Sequence, residues 1–372
     1  MLLLSAVVFT VACNKGDATF TAPDEPQPAV LTIYVYAPEQ AMATRADIGD
    51  VPAIASENRV HSLQIWVFEH DSTNLVGYLS PSTNLLNSEL SEAYLMDVDG
   101  LFAETHPNVD VYVLANAVGM GLGQSSARST LEAAVMPHDS NDYFGVTRPT
   151  SVVPSSGLPM SGVLRDQPIY GENPVLRIGS AAEMATVKLK RLVSKLRFVF
   201  TRSTDTEDVV SINTITLAPD MLPTEEYIFL ANDGKDYHIG TTYETSNALL
   251  ADDVGEIAAC DEPSDFIFAD GMEASEYEAI VEDGVMAGLL TQSGPYYLRE
   301  SDRRLGGTIS YSVNGESRQA TFQMARSGDF TRNHTWVVYG YFMSSYSGDL
   351  QLNSVFVKDW INVNRNHEFF NW

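Results

Sequence analysis

Histidine, cysteine and paired carboxylates are the groups in this chain that could do chemistry, and their spacing decides whether they can. The seven histidines are His61, His70, His106, His138, His238, His334 and His367. No two stand three or four residues apart, the interval that sets two metal ligands on one helix face, and no H-E-x-x-H occurs. There is no G-x-S-x-G elbow, no Walker loop and no G-x-G-x-x-G. Gly119, Gly121 and Gly123 alternate, but no Lys and Ser or Thr follow as a phosphate loop requires, so the stretch reads as a connection. Asp97-Val98-Asp99-Gly100 begins like a calcium loop, yet the twelfth position is Asn108 rather than a bidentate Glu; a solvated acidic turn is expected. Two carboxylates can run a glycoside hydrolysis. With 49 acids present, however, pairs such as Asp252-Asp253 and Asp261-Glu262 arise by chance and point to no site. Cys260, between Ala259 and Asp261, has no cationic neighbour in sequence to lower its pKa. No catalytic residue, metal or cofactor is assigned, and the chain reads as a non-enzyme.

The surroundings of these residues narrow the class. A length of 372 residues suggests two domains, and 44% hydrophobic residues are enough to build real cores. The formal net charge is −27, which repels phosphate and excludes nucleic acid or anionic lipid as a partner held by a basic patch. Only six of the 22 cations are Lys, and Lys188, Lys190 and Lys195 fall in one short stretch. Residues 1–12 form the only strongly apolar run, too short to span a bilayer and shaped like the h-region of an export signal. It ends in Thr10-Val11-Ala12-Cys13, which resembles the lipobox of bacterial lipoproteins, where the Cys is lipidated and becomes the new N-terminus. No Lys or Arg precedes the run, as expected if the coding start lies upstream of Met1.

Strand patterns dominate the remainder. After a polar, Pro-containing tether at 14–28 comes Leu31-Thr32-Ile33-Tyr34-Val35-Tyr36, and a second loose stretch, 39–58, holds Thr44-Arg45-Ala46. Strand signals recur at 63–68, 109–114, 185–189, 195–200, 210–217, 336–343 and 350–360. Two more, at 307–313 and 317–324, flank the hairpin dipeptide Asn314-Gly315. Residues 125–136 are the best helical candidate. Short strands with turn-rich connections and no alternating helices predict an all-β chain of two antiparallel β-sandwiches with few short helices. The Gly- and Pro-free stretch 187–198 crosses between them, with the boundary near Leu192.

Several segments, in order, resemble the fimbrillins, the subunits of type V pili of Bacteroidota-type bacteria. They are Cys13, the strand at 63–68 leading to Gly77, and Val113-Leu114-Ala115-Asn116-Ala117. Then follow Leu158-Pro159-Met160-Ser161-Gly162, the basic strand at 187–200, Arg332-Asn333-His334 before the strand at 336–343, and the Trp-containing tail. The resemblance implies two transthyretin-like sandwich domains. It also implies a precursor that travels to the outer membrane as a lipoprotein and is cut by an Arg-specific protease. The cut removes the first strand, and the strand of a neighbouring subunit fills the groove.

On that basis the chain divides into a signal peptide (1–13), a propeptide with the removable strand (14–45), an N-terminal sandwich (46–192) and a C-terminal sandwich (193–372) whose tail, 350–372, is the donor. Cys13 is the lipidation site and Arg45-Ala46 the scissile pair. Leu31, Ile33 and Val35 form the apolar face of the removable strand; Leu350, Leu352, Val355, Val357 and Trp360 carry the donor pattern. Two plainer readings stay open at this point: a permanent first strand at the sheet edge, and a tail that is the last strand of its own domain, with Trp360 in the core. The expected function is a structural pilus subunit at the cell surface, partnered by copies of itself and other fimbrial subunits and supporting adhesion. Alternatives are a tip or anchor component, a monomeric surface lipoprotein binding glycans or host proteins, and, from the weakest signal, a secreted hydrolase.

Overall fold

The structure is a computed structural model and describes residues 29–36, 57, 59–82, 92–98, 108–117, 120–136, 153–172, 174–269, 272, 274–324, 330–344 and 350–357. Strand β1 (Ala29–Tyr36) follows its period-two pattern: Ala29, Leu31, Ile33 and Val35 are 2%, 0%, 1% and 0% exposed, while the residues between them are half-buried. The N-terminal sandwich continues with β2 (Leu63–Glu69), β3 (Leu75–Leu79), β4 (Glu92–Val98) and β5 (Asn108–Ala115). A short helix, α1 (Arg128–Glu132), precedes β6 (Met160–Glu172), β7 (Val175–Ile178), β8 (Thr186–Lys188) and β9 (Lys190–Arg191). One sheet runs β3-β2-β5-β6, and the other places β1 between β4 and the successive strands β7 and β8. Thirteen residues make β6 long enough to serve both: its first half pairs with β5, its last four residues with β7. The faces enclose a core in which Leu31, Ile33 and Val35 meet Ile65, Val67, Val111 and Val113.

At Leu192, whose backbone N–H donates to the Pro159 carbonyl at 2.9 Å, the chain leaves the first sandwich. The second comprises β10 (Val193–Ser203), β11 (Val210–Leu217), β12 (Ala248–Glu256), β13 (Ala258–Cys260), a 3-10 turn (Pro263–Phe266) and helix α2 (Ala274–Met286). It ends with β14 (Thr291–Arg299), β15 (Gly306–Val313), β16 (Glu316–Gln323), β17 (Thr335–Phe342) and β18 (Gln351–Val357). One sheet centres on β10, flanked by β14 and β13 on one side and by β17 then β18 on the other; its partner runs β12-β11-β15-β16. The Asn314-Gly315 hairpin turns as its residues allow, with φ of 51° and 85°.

The architecture is the all-β pair of sandwiches that the sequence predicts, with three differences of detail. Each sandwich admits its first strand partly in parallel: β1 to β7 and β8, β10 to β13 and β17. The helix expected over 125–136 is confined to Arg128–Glu132, and the longest helix, α2, went unpredicted. Among the described side chains of α2, Tyr277 and Val281 are the large apolar ones fully buried, one turn apart, so its apolar stripe is too narrow to stand out from its acids. Asp97 is the exposed penultimate residue of β4, paired opposite Val30, and not part of a turn.

Candidate functional site

The strand expected to be removable is interior to its sheet. On one side seven residue pairs, from Ala29–Val98 to Val35–Glu92, zip β1 antiparallel to β4. On the other side Val30, Leu31 and Thr32 pair with β7, and Tyr34, Val35 and Tyr36 with β8. Withdrawing β1 would open a trough with hydrogen-bonding backbone on both walls and an apolar floor, rather than merely expose an edge. Full burial of a Val, Leu or Ile side chain is worth about 1.5–3 kcal/mol, so Leu31, Ile33 and Val35 together hold the strand with about 5–9 kcal/mol. Sequence reading did not single out the walls. Tyr94, Met96 and Val98 of β4 are buried while Ala93, Leu95 and Asp97 between them are exposed, a period-two signal diluted by Glu92 and Asp97.

Glu57 lies downstream of this strand and is itself buried. Its carboxylate accepts from the Tyr297 hydroxyl at 2.7 Å and the Lys195 ammonium at 3.2 Å, and its carbonyl from Arg191 Nε at 3.3 Å. Arg191 also donates to the Asn333 side-chain carbonyl at 2.9 Å. Burial brings the Arg191 guanidinium down to about 10 against the opposing pull of Glu57, and burial followed by the Glu57 charge pushes the Tyr297 hydroxyl up. Two residues later, the Arg59 carbonyl accepts from Asn116 Nδ2 at 2.8 Å and the His61 N–H donates to Asn116 Oδ1 at 2.7 Å. Val60 between them is buried. The chain is therefore pinned to the domain junction from Glu57 onward.

The C-terminal residues sit differently from the expectation. Leu350 is 4% exposed in the core of its own sandwich, with its N–H donating to the Tyr311 hydroxyl at 3.2 Å. Leu352 packs on that core opposite Gly340, where a side chain would meet Leu352 at 3.1 Å. Val355 and Val357 pair opposite Val337 and Thr335. The first part of the tail is thus the edge strand of its own sheet. Trp360, like Cys13, Arg45 and Ala46, lies outside the described residues. Among the described residues no group of three His, Cys, Asp or Glu is placed to hold a metal ion. Cys260 is buried, with the Thr201 hydroxyl 3.4 Å from its sulfur.

No protein-family model matches the chain, and no curated protein is significantly similar to it in sequence. Its fold is nevertheless shared with solved fimbrial and adhesion-related structures. The tip fimbrial protein Mfa3 from Porphyromonas gingivalis, with a C-terminal truncation, superposes with a TM-score of 0.51 at 13% identity, over 90% of this chain and 100% of that one. A Parabacteroides distasonis protein with a proposed role in cell adhesion gives a TM-score of 0.51 at 16% identity, over 88% and 96% of the two chains. The two-sandwich architecture is thus shared with these two structures over nearly the whole chain.

Proposed function

We propose that this chain is a non-enzymatic pilus subunit of the cell surface that polymerises by strand exchange. It is exported as a lipoprotein on Cys13, anchored in the outer membrane by that lipid, and cut by an Arg-specific protease between Arg45 and Ala46. It then loses β1 and receives a strand from another copy or another fimbrial subunit. The observation that carries this reading is the interior position of β1, an apolar strand gripped on both sides. It joins the rest of the fold only through residues 37–56. The shared fold of the fimbrial structures supports the same reading.

Residues 37–56 contain a single arginine, Arg45. The next, Arg59, is a poor substrate, because a protease needs several residues of free extended backbone and the Asn116 side chain clamps the Arg59 carbonyl and the His61 N–H on either side of Val60. Downstream of the cut, Glu57 keeps the new N-terminal segment fastened to Lys195 and Tyr297, so β1 is freed without loosening the domain junction. The test is Arg45→Ala in the native cell. It should leave a precursor that retains β1 and does not enter filaments, while the unaltered chain should begin at Ala46 by mass and N-terminal sequencing. A mature N-terminus at Val60, or normal filaments from the variant, would refute the assignment.

A further inference from the structure

Beside the β8 wall of the groove, several cations of this acidic protein gather around one cavity. A cavity of about 440 Å³ opens between the two sandwiches, and Arg165, Lys188, Lys190, Lys235 and Arg332 line it without one carboxylate among the lining residues. Three of the six lysines in a chain of net charge −27 therefore share one cleft. Its N-terminal wall follows from strand geometry. Lys188 and Lys190 flank Leu189, which is buried together with Val187, so the two ammonium groups leave the same face of the sheet. Arg165 comes from the adjacent β6 and reaches across the junction, its Nη2 donating to the Leu230 carbonyl at 2.7 Å. Leu230, Ala231 and Lys235 form the opposite wall.

These cations differ in how far they are neutralised. Arg332 is bound to Glu300 through Nη2 at 2.5 Å and Nε at 3.0 Å, so it serves as a wall and not as a free charge. Lys190 lies 3.6 Å from Asp236 and Lys235 3.5 Å from Asp233, in solvent-exposed pairs of the kind that bind weakly and exchange readily. Arg165 is held by the Leu230 carbonyl and lies over the Tyr112 ring at 5.8 Å, where its charge also reaches Glu132. With no carboxylate among the lining residues, these partly paired cations still leave the concavity positive, and an anion there would ease their mutual repulsion. The cavity is within the size range of small-molecule sites, and Val163, Leu164, Leu230 and Ala231 add apolar wall that a bare inorganic ion would not use.

We propose that this interdomain cleft binds a small organic anion carrying a carboxylate or sulfate group, held by Lys188, Lys190, Lys235 and Arg165 and contacting both sandwiches. The site is present before strand exchange, while β8 with Lys188 is still paired to β1, so it can be tested on the unpolymerised chain and judged apart from the pilus reading. Calorimetric titration of the purified chain would use four probes: citrate, N-acetylneuraminate, N-acetylglucosamine 6-sulfate and inorganic sulfate. The first two identify a carboxylate ligand, the third a sulfate on a sugar, and the last a bare oxyanion. At least one organic anion should bind with a Kd below about 1 mM and lose about tenfold in affinity between low and physiological salt. Lys188→Glu/Lys235→Glu should abolish binding, and the milder Lys188→Gln should weaken it while leaving the circular-dichroism melt of the free chain unchanged. Arg318→Gln, in β16 of the far sheet, should bind as the unaltered chain does. No heat from any organic probe up to about 10 mM, binding of inorganic sulfate alone, or affinity unchanged in the double variant would each overturn the proposal.

Discussion

At the scale of single residues, the motifs that resemble the fimbrillins turn out to be structural fasteners, some within the first sandwich and some across the domain junction. Asn116, in the Ala-Asn-Ala turn, adopts φ of 57° and ties Arg59, His61 and Leu158 together. In Pro159-Met160-Ser161-Gly162, the Ser161 hydroxyl donates to the Ile228 carbonyl across the junction at 2.6 Å. Gly162 has room for no side chain, since a Cβ there would lie 2.7 Å from Val187 and 2.8 Å from the Lys188 carbonyl. Arg332 donates to Glu300 and to the Tyr227 and Ile228 carbonyls, and Asn333 receives Arg191. Beside this cluster Glu226 is buried, 4.0 Å from Arg332, and its carboxyl oxygens make no well-aligned hydrogen bond. Burial first, and the neighbouring Glu300 charge second, push its carboxyl well above the ordinary carboxylate range. An acid whose folded pKa lies above its unfolded one binds more protons when folded. Its contribution is therefore favourable at low pH and is lost as pH rises through the window above the unfolded value of about 4.3. Glu226→Gln should accordingly raise stability at pH 8 by about 1–3 kcal/mol in urea unfolding and change it little near pH 4. A loss of stability at pH 8 would mean that the charge of Glu226 is compensated after all.

At the scale of elements, legibility followed periodicity. β1 and the β15–β16 hairpin were readable because their apolar residues alternate between Gly, Asn or Pro boundaries, and β11 because it keeps that alternation on either side of a bulge between Ile212 and Thr214. β6 was not, because a strand that serves two sheets changes its buried face midway and carries Pro168 within it. The interior position of β1 was beyond reach of the sequence, since it depends on pairing with residues of β4, β7 and β8 from 57 to 152 positions downstream in a register that no local pattern encodes. That register gives a direct test of strand exchange. Thr32 and Leu95 are opposite one another on the outer face of β1 and β4, and Leu95 is 64% exposed, so neither belongs to the core. Directly opposed residues in an antiparallel pair have Cα separations within disulfide range. Thr32→Cys/Leu95→Cys, oxidised, should keep the cleaved β1 attached on a non-reducing gel and abolish filament growth, and a reductant should restore growth. Growth of the oxidised variant with β1 still attached would show that the groove is not the acceptor.

At the scale of the whole molecule, the two sandwiches place their first strands alike and differ in what precedes them. β10 runs between an antiparallel partner, β14, and a parallel one, β17, as β1 runs between β4 and the β7–β8 pair. β10 is continuous with the first domain through Leu192 and cannot leave, whereas β1 stands ahead of every other described element. The other half of an exchange is the donor, and here the fold divides the tail at residue 357. Seven residue pairs join β18 to β17, and Leu350 is part of the core, so drawing β18 out would break its own sandwich. Under the proposed strand exchange, donation would then fall to residues 358–372, where Trp360, Ile361 and Val363 continue an apolar pattern in the sequence. Two truncations separate the cases. Removing 350–372 takes Leu350 from the core and should destabilise the C-terminal sandwich by about 2–5 kcal/mol, the usual cost of losing a buried leucine. Removing only 358–372 should leave the thermal melt unchanged, because every described contact of the C-terminal core is retained. This shorter truncation should still accept a strand in its groove and so terminate filaments instead of extending them, and unheated SDS gels of cells expressing it should lose their ladder of polymers. A ladder that survives removal of 358–372 but not of 350–372 would transfer the donor role to β18 and require the C-terminal sandwich to open during assembly.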